Sequence, residues 1–431
     1  MLKPLTLVLG SVAVAAAMAV AAMAAPPSSL PWHKRSKLYI AAGGHAGTAA
    51  AQRGQQGIPQ GIPQGGVPQF GDALVGLSSA ELADFTEGRS EFEAVETPEG
   101  GLGPIFNDAS CAACHTAGGI GGASERTVTR FGRVVNGQFS SLDHLGGSLL
   151  QAKAIDPAVQ ETVPVEANVV IQRVTTPLFG AGLIEAISDQ DIELNARRTK
   201  PDGVRGRALT VTDVATGLPR IGRFGWKAQQ ASLLAFAGDA YLNEMGVTSR
   251  LFPTENAPNG RTDLLARFAR GGEVEDSIDP ATGKSDIDHA ADFMRLLAPP
   301  PRVRASASAL AGERWFAQTN CTACHLPVMF SGASPIRALA HQPVPLYSDL
   351  LLHDMGRLGD GIEQGGAKAR EMRTAPLWGL RARSHLLHDG RAKTVWQAIE
   401  AHDGEAAPAR RRFEALSPAA QQQLLDFLQT I

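Results

Sequence analysis

Apolar positions recur at helical spacing in only a few stretches of this chain, and those stretches predict its elements. Ser78-Ser79-Ala80-Glu81 has the S-x-x-E form of a capping box and opens a helix running through Phe92. Asp286 to Leu297 and Ser306 to Gln318 read as two more helices, the second with Leu310, Trp315 and Phe316 apolar. Pro299-Pro300-Pro301 breaks the chain between them and predicts a domain boundary. From Trp226 to Met245, the residues Leu234, Ala237, Tyr241 and Met245 fall on one helical face. Thr394 and Gln397 fit a capping box, and Val395, Ile399 and His402 share a face beyond it. The chain closes on a helix capped by Ser417, with Pro418 in its first turn and Leu424, Leu425, Phe427 and Leu428 inward.

Elsewhere periodicity fails. Ala41 to Val67 is rich in Gly, Ala, Gln and Pro and contains the near-repeat Gly57-Ile58-Pro59-Gln60 and Gly61-Ile62-Pro63-Gln64, so a flexible segment is expected over 25–69. Lys3, the apolar run Leu5 to Val20 and Ala22-Met23-Ala24 predict an export signal over 1–24, and hence a periplasmic protein with no membrane span once it is removed. A near-balanced net charge of −3 excludes the basic footprint of a nucleic-acid binder. Aromatic residues make up only 6% of the chain, while Gly 46 and Pro 27 imply many turns, so an interior filled partly by a large apolar ligand is in keeping with this composition.

The four cysteines identify that ligand. All lie in two copies of CxxCH, Cys111-Ala112-Ala113-Cys114-His115 and Cys321-Thr322-Ala323-Cys324-His325, the attachment signature of c-type haem. Two thiols three positions apart can each add across one porphyrin vinyl group, and the next histidine supplies a nitrogen to the iron. A zinc ribbon would bring its pairs within about twenty residues of each other, but these are 210 apart. A redox CxxC needs no following histidine. The expected cofactors are therefore two covalent haem c groups. The runs Val174-Thr175-Thr176-Pro177-Leu178-Phe179-Gly180 and Arg373-Thr374-Ala375-Pro376-Leu377-Trp378-Gly379 echo one another after the two motifs and point to a duplication. The fold expected is mainly α: two cytochrome c-like haem domains, over 70–298 and 299–431, with extended irregular loops and insertions. Glycines 118, 119, 121 and 122 would let backbone pass close to a flat ligand. Glu185, ending an apolar run, reads either as a surface residue closing a helix or as a buried proton handler.

From about Phe70 onward the sequence resembles the bacterial di-haem oxidoreductase family, related to the di-haem cytochrome c peroxidases. The likeness is carried by Gly103-Pro104-Ile105-Phe106-Asn107, Arg223-Phe224-Gly225-Trp226-Lys227-Ala228, Asn243-Glu244-Met245-Gly246, Leu352-His353-Asp354-Met355-Gly356 and Leu387-His388-Asp389-Gly390, together with both haem motifs. In the peroxidases a methionine ligand follows a similar His-x-Gly element by fourteen positions. The same count from His388 reaches His402, so the resemblance implies His325 and His402 as paired iron ligands, with His115 as the proximal ligand of the other haem. It implies a peroxidase-like enzyme in which electrons enter at the His325 side and pass to a substrate-binding His115 side. Glu185, with Gln172 as companion, matches the distal acid loosely. A small soluble cytochrome or cupredoxin is the implied donor, and hydrogen peroxide or another oxidant the implied substrate. The likeness has gaps: Phe131 stands where a distal histidine is expected, with His144 the nearest histidine, and no tryptophan falls between Trp32 and Trp226. Arg383 and His385 replace the threonine and proline of a calcium site, which leaves calcium doubtful. The alternatives are a purely electron-transferring di-haem cytochrome and a high-valent haem oxidant of a protein or organic substrate.

Overall fold

Two helix crossings, each built on a glycine and a phenylalanine four residues apart, organise the protein. The computed structural model describes residues 67–269 and 274–431, which pack as one unit. The expected export signal and most of the segment 25–69 lie outside the described residues. Ten α-helices occur among the described residues: α1 (Ser79–Glu93), α2 (Ala181–Glu185), α3 (Asp189–Arg197), α4 (Leu233–Ala240), α5 (Thr262–Phe268), α6 (Asp286–Leu296), α7 (Ala307–Gln318), α8 (Val395–Glu400), α9 (Ala407–Glu414) and α10 (Pro418–Leu428).

Helix α1 starts where the capping box predicts, with Ser78 Oγ accepting from Glu81 N and the Glu81 carboxylate accepting from Ser78 N. It crosses α6 at Gly88, where a Cβ would stand 2.3 Å from the His289 carbonyl oxygen. Phe85 and Phe92 pack their rings on Phe293 at 5.4 and 4.7 Å. Helix α7, capped by Ser306, crosses α10 in the same manner. A Cβ on Gly312 would stand 1.8 Å from the Gln423 carbonyl oxygen, and Phe316 meets Phe427 at 5.4 Å. An i,i+4 pair lies on one helix face, so Gly88 with Phe92, and Gly312 with Phe316, each present one close-approach point and one ring to the partner helix. The second echo is equally literal. Gly180 and Gly379 both have φ +69°, and a helical turn follows each.

Between the crossings the chain is not mainly α. Residues Thr127–Val135 centre a four-stranded antiparallel sheet with Gln138–Ser140, Leu149–Leu150 and Val169–Val174. Both long strands are rich in Val, Thr and Ile, which suit a pleated, half-buried surface. Helix α4 is also shorter than the apolar stripe suggested. It gives way to a π-helical turn over Tyr241–Met245, which keeps Tyr241 and Met245 buried in line with Ala237 of the helix.

The halves on either side of Pro299-Pro300-Pro301 share buried polar groups. Asp360 takes both the Arg173 guanidinium at 2.6 Å and the Lys227 ammonium at 3.0 Å, with all three side chains excluded from solvent. Arg207 pairs with Glu371, and backbone bonds join Arg373 N to Trp226 O and Val174 N to His388 O.

Candidate functional site

The second CxxCH follows α7 directly. Its first residues form a tight turn, Cys321–Ala323, and the His325 N–H bonds back to the Cys321 carbonyl at 2.9 Å. His325 Nδ1 lies 2.9 Å from the Tyr347 carbonyl oxygen. A carbonyl only accepts, so Nδ1 carries the hydrogen and Nε2 keeps its lone pair. Immediately beyond the C-cap of α8, His402 Nδ1 lies 2.7 Å from the Ala398 carbonyl and is fixed in the same tautomer. Burial holds His325 down to about 4 and lowers His402 as well, so both are neutral imidazoles at neutral pH. Their ring centroids are 6.4 Å apart.

These rings stand in the wall of a cavity of about 1550 Å³, open solvent included. Cys321, Cys324, Leu358, Met372, Leu386, Ile399 and Leu424 line it, and the first half contributes Val174, Pro177 and Trp226. His353, to which the sequence assigns no role, anchors one side. Its Nε2 bonds Asp349 at 3.0 Å and its Nδ1 bonds Glu405 at 2.8 Å. Two carboxylate acceptors require a hydrogen on both nitrogens, and they hold the imidazolium far above the ordinary range despite burial. Lys200 completes the cluster at 2.6 Å from Asp349.

The first CxxCH has half of this arrangement. His115 Nδ1 lies 2.9 Å from the Gly122 carbonyl, which fixes the same tautomer, and burial holds the ring at about 4. Thus the glycine loop serves the histidine through its backbone. The Phe92 ring meets His115 at 5.8 Å, as Phe316 meets His325 at 6.5 Å. Among the described residues no second imidazole faces His115 as His402 faces His325. None of the four cysteines is in a disulfide. Burial pushes Cys111 up to about 12 and Cys321 up to about 11, so neither is an activated thiolate. Among the described residues no three His, Cys, Asp or Glu side chains converge as a protein-only metal site, so the two CxxC pairs do not meet as zinc would require.

Glu185 and Gln172 are not brought together. One Glu185 oxygen accepts from Leu233 N at 2.7 Å and the other from Arg295 Nε at 2.8 Å, so the carboxylate ties α2 to the start of α4 and to α6. Gln172 is exposed on the sheet and donates to Thr129 Oγ1. Phe131 is buried in the central strand, while His144 is exposed. Trp226, outside the interval where a tryptophan was sought, lines the cavity, donates its Nε1–H to Val174 O at 2.8 Å and sets its ring edge-on to His388. Only the folding of the sheet against residues 372–388 reveals that position.

The donor set fits haem. Metal–imidazole bonds of about 2.0–2.1 Å on either side of one ion, plus the two half-rings, fill the gap between His325 and His402, and the apolar cavity suits a porphyrin. A family model described as "Di-haem oxidoreductase, putative peroxidase" matches residues 158–431. The chain belongs to this family. The match begins beyond the first CxxCH, so the di-haem oxidoreductase family model itself covers only the second motif. No curated protein matches the chain. Among solved structures it is similar to hydrazine synthase of Kuenenia stuttgartiensis, at 14% identity over 88% of this chain and 100% of that one, with a TM-score of 0.38. A MauG-like protein associated with microbial copper homeostasis aligns at 15% identity over 59% of this chain and 88% of its own, with a TM-score of 0.30. A variant of the di-haem peroxidase BthA from Burkholderia thailandensis aligns at 13% identity over 66% of this chain and 90% of its own, with a TM-score of 0.29. As in other members, two haem groups are expected, and no helix among the described residues is long and apolar enough to cross a membrane.

Proposed function

We propose that this di-haem oxidoreductase is a periplasmic, peroxidase-type enzyme with two covalently attached haem c groups and unequal sites. Bound, the two groups supply one-electron redox chemistry and, where an iron position is open, a place for peroxide. Cys111 with Cys114, and Cys321 with Cys324, are the attachment thiols, and the neighbouring histidines are the proximal ligands. His402 would help to hold the second group, a site suited to storing and relaying electrons, while the first group, which His115 would hold, is the one left for substrate. The observation that carries this reading is the tautomer-locked pair His325 and His402 at 6.4 Å, with a single locked imidazole at the first motif. Hydrogen peroxide takes up two electrons and two protons to give two waters, and the electrons come from a small soluble cytochrome or cupredoxin. Glu185, engaged by Arg295 and Leu233 N, is better suited to bracing helices than to moving the proton. Another buried group is then required for that step.

Near-infrared and EPR spectra of the wild type and of His402→Ala test the assignment. The expected result is loss of a bis-imidazole low-spin signal on substitution, and an unchanged signal would sink it. Cyanide binding by a high-spin ferric component, with peroxide turnover in the half-reduced protein, is expected for the enzyme. A wholly low-spin protein inert to peroxide would instead be an electron-transfer cytochrome. Turnover of a protein or organic substrate in place of a reducing donor would identify the third alternative.

A further inference from the structure

We infer that Arg373 and Arg383 form the receptor for the two propionate carboxylates of the haem held by the second motif, an inference that rests on the reading above. Both side chains line the same cavity as Cys321, Cys324 and His325. Arg373 Nε donates to the Gly225 carbonyl at 2.7 Å and its Nη1 to the Thr374 carbonyl at 3.3 Å. Arg383 Nη2 donates to the Pro376 and Trp378 carbonyls at 3.0 and 3.3 Å. Those bonds aim the two guanidinium groups but neutralise neither.

Other buried cations of this protein are treated differently. Arg173 and Lys227 share Asp360, and Arg223 has Asp189. Arg130 feels Glu244 and Asp239. At Arg373 and Arg383 no carboxylate acts among the described residues. Burial brings each down to about 10, and at Arg373 the charge of Arg383 adds to that effect. Two buried cations in one cavity are costly unless paired. Five N–H donors in a fixed fork make arginine well suited to a carboxylate. Haem c offers two carboxylates on an otherwise apolar ring, and its vinyl groups are the part that Cys321 and Cys324 take up. The stoichiometry is therefore two guanidinium groups to two propionates, brought into one cavity by one ligand.

The test uses the holoprotein with its haem-to-protein ratio measured by pyridine haemochromogen. A wild-type ratio below two would defeat the functional reading rather than this inference. With two haems attached, the midpoint potential of the bis-imidazole haem is followed against pH in the wild type, Arg373→Gln and Arg383→Gln. Loss of a nearby positive charge favours ferric iron, so the potential at neutral pH is expected to fall. The pH-dependent step from propionate ionisation should move to higher pH, because an unpaired carboxylate binds its proton more tightly. Potentials and pH profiles unchanged in both variants would overturn the inference. Should the glutamine variants fail to accumulate, Arg383→Lys keeps the charge but loses the fork. A shifted propionate bending mode in its resonance Raman spectrum is expected, and an unshifted mode would overturn the inference.

Discussion

The Nδ1 atoms of His115, His325 and His402 each lie within hydrogen-bond reach of a backbone carbonyl, which fixes what each imidazole can do. With the hydrogen held on Nδ1, only Nε2 is free for a metal, and the bond keeps the ring from rotating. Nothing in the local sequence around Tyr347, Gly122 or Ala398 shows those carbonyls arriving. Replacing His402 by methionine is expected to raise the reduction potential of the second haem, because thioether ligation favours reduced iron. Spectroelectrochemistry checks this, and a fall would argue against His402 as ligand. Glu185 belongs at the same scale. Its carboxylate makes two bonds, one to a guanidinium that also holds Asp292. Glu185→Gln is expected to cost about 1–3 kcal/mol of stability, visible in chemical denaturation. Peroxide turnover per folded molecule should be retained, and its collapse would restore Glu185 as the proton handler.

Helix crossings are the elements on which His115 and His325 rest. The first crossing places Phe92 against His115 and the second places Phe316 against His325. Gly312 has backbone, not a flexible side chain, in the space of its absent Cβ. Gly312→Val is therefore expected to reach the upper end of the about 1–3 kcal/mol that overpacking costs, with a lower melting temperature and fewer haems attached at the second motif. In the first lobe, burial and the neighbouring Glu91, Asp286 and Asp276 raise Glu96 from 4.5 to about 7. The folded state then holds a proton that the unfolded chain releases, so the stability contribution is greatest below about 4.5 and is lost as pH rises toward 7. Denaturation midpoints measured across that window should decline in the wild type and decline less in Glu96→Gln.

At the scale of the whole molecule, the cavity beside the second CxxCH is completed by residues from both sides of the proline run. Val174, Pro177 and Trp226 come from the first half, and the Asp360 cluster locks the halves together beside them. Burial lowers Lys227 to about 8, against the raising effect of the charge and hydrogen bond of Asp360 and, less, the charge of Glu371. Asp360→Ala would remove the carboxylate that two buried cations share, at an expected cost of about 3–5 kcal/mol. The measurement is chemical denaturation of the haem-loaded protein, and a loss below 1 kcal/mol would show that the halves do not depend on this cluster.

The sequence by itself carried the expectation of haem attachment, because CxxCH needs only local spacing. It also determined the main helix starts, because a cap is a contact between residues three apart, as Ser78 and Glu81 or Thr394 and Gln397 show. His402 was legible as a candidate from its place on the Val395 and Ile399 face and from the count from His388. The facing of its ring toward His325 was decided by the fold, since the two lie on segments joined through the intervening chain. The central sheet was foreshadowed only by β-branched residues over Thr127–Val135 and Val169–Val174, a signal too weak without the partner strands. Tertiary structure alone brought His353 between Asp349 and Glu405, set Trp226 in the cavity wall, and gave Arg373 and Arg383 no carboxylate among the described residues. Those are relations between residues distant in the chain, and charge pairing in low dielectric is fixed by position in space.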